Sequence, residues 1–167
     1  LHDNPASMPL TNALSFLRDG PREPSVLRAD ATTLAEAPTA PLSQFVYEPD
    51  DAIERAGLLG ELCHQLSCDM PHSQCGLLTS PQLIYSPWLT AFEVLAESAW
   101  SSRQIAAQLA AVNAGEVEVK TRGNVVDADA LTKQLRSSGS QRVTLFVIRF
   151  GDQGLRAIIA RRLPRLR

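Results

Sequence analysis

The chain has 167 residues, 44% hydrophobic and 20% charged, with a formal net charge of −2, the profile of a globular protein with room for one ordinary core. No apolar run reaches the roughly 18 residues needed to cross a bilayer, and the opening "LHDNPASMPL" lacks the basic start and apolar stretch of a secretory leader; the expectation is a cytoplasmic protein without a membrane span. The charge is uneven: residues 116–167 carry eleven Lys/Arg against five Asp/Glu, whereas the first 115 carry five against thirteen, which suits either a polyanion-binding half or two halves that attract each other.

Residues 1–44 are rich in Pro, Ala, Ser and Thr, and "DGPREP" and "EAPTAPLSQ" read as turns, so this region is expected to be a loop-rich connecting segment. "ALSFL" within it suits a strand or a helical turn, and the leading Leu1 suits a fragment or a processed form. At Phe45 the pattern changes to a short strand, then one helix from Asp51 to Leu66 with Ile53, Ala56, Leu59, Leu62 and Leu66 at helical spacing and Asp51 and Glu54 as its capping pair. "CGLLTS" and "QLIYS" read as short strands on either side of Pro81, and Ala91–Glu97 as a longer one. "SSRQIAAQLAAVNAG" is a helix with a Ser101/Gln104 capping box, an Ile105, Leu109, Val112 stripe and Gly115 as its stop.

"EVEVKTR" alternates cleanly, turning Val117, Val119 and Thr121 one way and Glu116, Glu118, Lys120 and Arg122 the other. Asp127 caps the next helix, whose Ala128, Leu131 and Leu135 face the core, with Gly139 as its end. "QRVTLFVIRFG" is apolar on both faces in its middle, as a central strand should be, and "GDQG" turns it into the return strand "LRAIIARR". The order specifies an α+β fold, a mixed sheet with packed helices over residues 45–167.

Recognisable catalytic chemistry is absent from the sequence. There is no glycine-rich nucleotide or S-adenosylmethionine loop, no Walker sequence and no nucleophile elbow. Cys63, His64, Cys68, His72 and Cys75 are zinc-ligand types, but they lack a C-x-x-C, and Cys63 and His64 are neighbours that point apart on a helix, so core cysteines in a reducing compartment are expected and no metal site is assigned. The acids Glu48, Asp50, Asp51 and Glu54 suit a helix start, with Arg55 one turn on as a partner for Asp51. Among the aromatics, Phe146 is expected in the core and Phe150, beside Arg149, is the candidate for base stacking.

The basic side chains carry the clearest signal. Lys120 and Arg122 share a strand face, and Gly123 makes the turn that follows. Arg149 and Arg156 stand opposite each other if the hairpin closes simply through "GDQG", and such a like-charge pair needs an anion or a carboxylate between them. A phosphate backbone satisfies that need, with Arg142, Arg161 and Arg162 adding to the field; carboxylates from Glu116, Glu118 or the first half of the chain would satisfy it equally.

"VYEPDDAIERAGLLGELC", "LLTS…YSPWLTAFEVL", "VEVKTRGNVVDADALTKQLR" and "RVTLFVIRFGDQGLRAIIARR", in that order, resemble the THUMP-like domain that ends a group of class I S-adenosylmethionine-dependent methyltransferase-like proteins. The resemblance covers about Phe45 to Arg162 and rests on Glu48-Pro49-Asp50, Arg55-Ala56-Gly57, Ser86-Pro87 with Phe92, and Lys120 with Arg122-Gly123. It implies an accessory α+β domain beside a Rossmann-type methyltransferase domain, with RNA as the partner by kinship to THUMP domains. The cofactor-binding half is absent from this chain, so the resemblance transfers no catalytic residue, and S-adenosylmethionine is expected only in the missing part. The expected phosphate contacts are Lys120, Arg122, Gly123, Arg149 and Arg156. A module that docks on a methyltransferase domain without binding RNA is the competing expectation, and an enzyme built on the acids of Glu48–Glu54 ranks last.

Overall fold

The computed structural model describes residues 10–15, 25–30, 33–73, 75–123, 125–135 and 138–165. Two strands, β1 (Leu10–Ser15) and β2 (Ser25–Asp30), pair antiparallel in the segment expected to be loop. The "DGPREP" turn and the end of "ALSFL" lie outside the described residues. Leu27 on β2 is buried in the main core, with Ala29, Ala37 and Leu42 packed at its margin. The Pro- and Ala-rich composition hid this, because a few apolar side chains suffice when a neighbouring core supplies the rest of the contact surface.

The main sheet contains β3 (Phe45–Pro49), β4 (Leu78–Ser80), β5 (Leu89–Ala99), β6 (Ala114–Thr121), β7 (Gln141–Arg149) and β8 (Leu155–Arg162), in the order β4-β3-β5-β8-β7-β6. The β6–β7 pair is parallel and all others are antiparallel. Among the described residues four helices accompany the sheet: α1 (Asp51–Arg55), α2 (Leu59–Leu66), α3 (Ser102–Ala111) and α4 (Ala128–Gln134). This is the expected α+β fold with a mixed sheet.

The alternation of β7 sorts the core into two. Phe146 and Ile148 join Phe92, Ile158 and Ala160 with Ile53, Leu62 and Cys63 of α1 and α2. Val143, Leu145 and Val147 join Ala157 and Ile159 with Ile105 and Leu109 of α3, and Leu131 of α4 and Leu135 just beyond it pack at the margin. Both sheet faces are therefore covered, which is why Val143–Ile148 is an unbroken buried run.

Local signals that act within a few residues match the structure. Ser101 Oγ accepts from Gln104 N, Asp127 Oδ1 accepts from Ala130 N, and Arg55 pairs with Asp51 at 3.2 Å. Four details differ. The Asp51–Leu66 helix is broken in two, since Gly57 takes a φ of +69° after α1, and the first cap is Asp50, whose side chain accepts from Ala52 N. "QLIYS" is not a strand; its backbone is held by Tyr47, whose hydroxyl donates to Gln82 O and accepts from Ile84 N. Gly115 lies within β6 and does not end α3; Asn113 takes the left-handed conformation instead. Gly139 likewise does not end α4, and the two glycines are needed for close approach: a Cβ on Gly115 would lie 2.1 Å from Gly139 O.

Candidate functional site

β6 is an edge strand whose polar side carries Glu118 and Lys120, followed by Arg122. The sheet brings these side chains to the α1 end of the molecule. Lys120 Nζ donates to Glu48 Oε2 at 2.5 Å, and Arg122 Nη1 donates to both carboxylate oxygens of Glu54 at 2.6 Å. All four side chains are about a quarter exposed, and Lys120 also lies 6.0 Å from the Phe92 ring centroid. The acid cluster and the basic strand, separate features in the sequence, are two halves of one ion-paired seam. The loop before β4 backs it: a Cβ on Gly76 would come within 3.1 Å of the Arg122 guanidinium and 3.2 Å of Glu54.

The hairpin also differs from the simple closure. A 3-10 turn over Gly151–Gln153 lengthens the connection, with Phe150 N donating to Gly154 O. The register then sets Arg149 opposite Leu155, and Arg156 opposite Ile148. The expected confrontation of Arg149 with Arg156 is therefore absent: a one-residue change of register sends their side chains to opposite faces. Arg156 bonds Glu97 through Nε at 3.1 Å and Nη2 at 2.8 Å. Arg142 pairs with Glu116 at 3.1 Å, and Arg161 with Glu93. Arg149 is exposed and has no ion-pair partner among the described residues.

Arg149 and Arg122 line one cleft of about 380 Å³ with Gly123, Gly151, His72 and Ser73. Gly123 has a φ of +72° and open space where a Cβ would stand, so its role is conformational, and it is exposed in the cleft that both arginines line. His72 Nδ1 lies 2.8 Å from Ser73 O, so that nitrogen carries the proton, and the ring stacks on Phe150 with centroids 5.5 Å apart. Phe150 is 4% exposed and is thereby a core and stacking residue of the protein itself, not a free platform for a base. Among the described residues, Tyr85, 48% exposed, is the aromatic left open to solvent.

His72 and Ser73 are the residues of this cleft that sequence reasoning missed. Only the chain path places their loop against the β7–β8 turn, and the one local trace is Gly151, where a Cβ would lie 2.7 Å from the imidazole.

Cys63, Cys68 and Cys75 are buried and free. The Cys63 thiol is pushed up by its interaction with the neighbouring Cys68 thiol and by burial, and Cys75 is pushed up by burial. Among the described residues, no three His, Cys, Asp or Glu side chains are arranged to hold a metal, and no helix is long and apolar enough to cross a membrane. The sequence that connects β6 to α4 carries a single glycine, Gly123.

The THUMP domain-like family matches residues 89–162, from β5 to β8. Two proteins of Mycobacterium tuberculosis, strains CDC 1551 / Oshkosh and H37Rv, each named an uncharacterized S-adenosylmethionine-dependent methyltransferase, are 31% identical to this chain over 120 residues. The match takes in 72% of this chain and 33% of each relative, so the chain spans about a third of their length. A crystal structure from Porphyromonas gingivalis W83, of a protein named as a methyltransferase, shares the fold at a TM-score of 0.69 and 18% identity, over 92% of this chain and 38% of that one.

Proposed function

We propose, from the match of residues 89–162 to the THUMP domain-like family and the similarity to proteins named as uncharacterized S-adenosylmethionine-dependent methyltransferases, that this chain is an accessory part of such an enzyme that holds RNA by its phosphates while methyl transfer takes place in a part outside this chain. Residues 45–167 are the working unit in this reading and residues 1–44 its connection. S-adenosylmethionine belongs to the other part, and the three free cysteines suit a cytoplasmic setting. The observation that carries the reading is the cleft where Arg149, exposed and without a carboxylate partner among the described residues, faces the same space as Arg122 beside the Gly123 turn. Backbone phosphate is the ligand chemistry for an arginine with free donors next to open backbone. Lys120 and Arg156 contribute through field, since each already holds a carboxylate.

Fluorescence anisotropy with a structured RNA across a salt series tests this. Binding is expected to weaken as salt rises, and Arg149→Ala is expected to reduce the salt slope by about 0.7–0.9. Absence of binding at low salt, or salt-independent binding, overturns the reading.

A second reading has its own support. Lys120, Arg122 and Arg156 are paired within the chain, as expected for a module whose charges build the fold while another surface docks on the methyltransferase part. Salt-insensitive association with that part, in the absence of RNA, is its expected signature.

A further inference from the structure

The two edges of the main sheet are finished differently. β4 is three residues long, and its outer side is closed by Asp69, which exchanges backbone hydrogen bonds with Thr79 at 3.0 and 2.7 Å. β6 has eight residues, and no described residue outside its ladder with β7 makes a backbone hydrogen bond to positions 115–121. An irregularity in the β6–β7 register falls between Ala114 and Glu116, leaving Glu116–Thr121 as a regular, open edge. Open edges of this length template pairing with another strand unless their side chains prevent it.

The side chains of β6 are self-complementary. Along its polar side the order is Glu116, Glu118, Lys120, Arg122, two acids followed by two bases. In an antiparallel pairing centred on Val119, Glu116 stands opposite Arg122 of the second copy and Glu118 opposite Lys120, while Val117 meets Thr121 and Val119 meets itself. Centring on Glu118 sets that carboxylate against its own copy, and centring on Lys120 does the same with the ammonium. A two-fold pairing keeps like faces together only in such whole-pair steps, so the charges select one register of the three. Glu118 also has a use for a cation: its partner among the described residues is the Thr144 hydroxyl at 3.5 Å, with no Lys or Arg. Lys120 and Arg122 would each gain a second carboxylate beside Glu48 and Glu54.

We propose that the open edge of β6 binds a second copy of this chain, antiparallel and centred on Val119, to make a continuous sheet across a two-fold axis. The proposal does not depend on RNA binding. Sedimentation of the 167-residue chain over a roughly hundredfold concentration range is expected to show a monomer–dimer equilibrium. Glu116→Lys with Glu118→Lys makes all four edge positions basic, and Lys120→Glu with Arg122→Glu makes them all acidic. Each variant alone is expected to lose self-association by about tenfold or more, and an equimolar mixture is expected to restore a heterodimer.

Amide hydrogen exchange on the unsubstituted chain gives an arm that needs no folded variant, as protection at residues 116–121 should rise with concentration. A monomer at every concentration, exchange at 116–121 that ignores concentration, or undiminished self-association by both folded variants overturns the proposal.

Discussion

Glu54→Gln separates the phosphate reading from its competitor. Glu54 occupies Arg122 through two contacts of 2.6 Å, with both side chains under a third exposed. Two unit charges at that distance attract by about 1.6 kcal/mol even in a bulk-water dielectric. Ordering two long side chains takes part of this back, so a net of about 1 kcal/mol is expected for the pair. A phosphate that engages Arg122 must compete with that carboxylate. The neutral amide of the variant keeps the shape and removes the competing charge, so RNA affinity is expected to rise roughly fivefold, the equivalent of about 1 kcal/mol. Releasing one more cation also steepens the salt slope by about 0.7–0.9. The assay is anisotropy on a structured RNA at several salt concentrations, with denaturant unfolding alongside to register an expected stability loss of about 1 kcal/mol. Unchanged or weaker RNA binding, with the fold intact, would refute the claim that Arg122 can be shared with phosphate.

Further outcomes follow from packing and protonation. Gly60→Ala is expected to cost about 1–3 kcal/mol in a urea titration, because an ideal Cβ there would lie 1.8 Å from Ala35 O, a backbone atom that cannot swing away. Gly123→Ala, where a Cβ meets nothing within 4 Å but φ is +72°, is expected to cost only about 1 kcal/mol. Burial raises the proton affinity of the Cys75 thiol above its ordinary pKa of 9.0, and burial, outweighing the Ser80 hydrogen bond, raises that of the Tyr47 phenol above 10.0. Both groups lose their proton first in the unfolded chain, so their contribution is complete below the unfolded values and is lost as pH rises through the folded ones. Unfolding free energy is therefore expected to fall above about pH 9, with Cys75→Ala flattening the first part of the decline; a flat profile to about pH 11 would count against these assignments.

The elements whose causes are local were legible in the sequence. Ser101 and Asp127 cap helices by bonds to backbone three residues on, and "EVEVKTR" alternates because a strand has period two. The run Val143–Ile148 is buried and almost wholly apolar because a sheet with helices on both sides buries both faces. Tertiary structure decided everything that depends on where distant elements meet. Glu48 and Lys120 are 72 residues apart, and Glu54 and Arg122 are 68 apart; each residue type was evident in the sequence, but their pairing is a property of the sheet. The 3-10 turn after Phe150 moved the hairpin register by one residue and thereby separated Arg149 from Arg156.

Gly115 and Gly139 have the look of helix stops, yet they are glycine because two backbones approach too closely for a Cβ. Propensity and capping energies act across about one helical turn and are read from neighbours. Ion pairs, edge strands and clefts depend on sheet order and register, which no short window of residues contains.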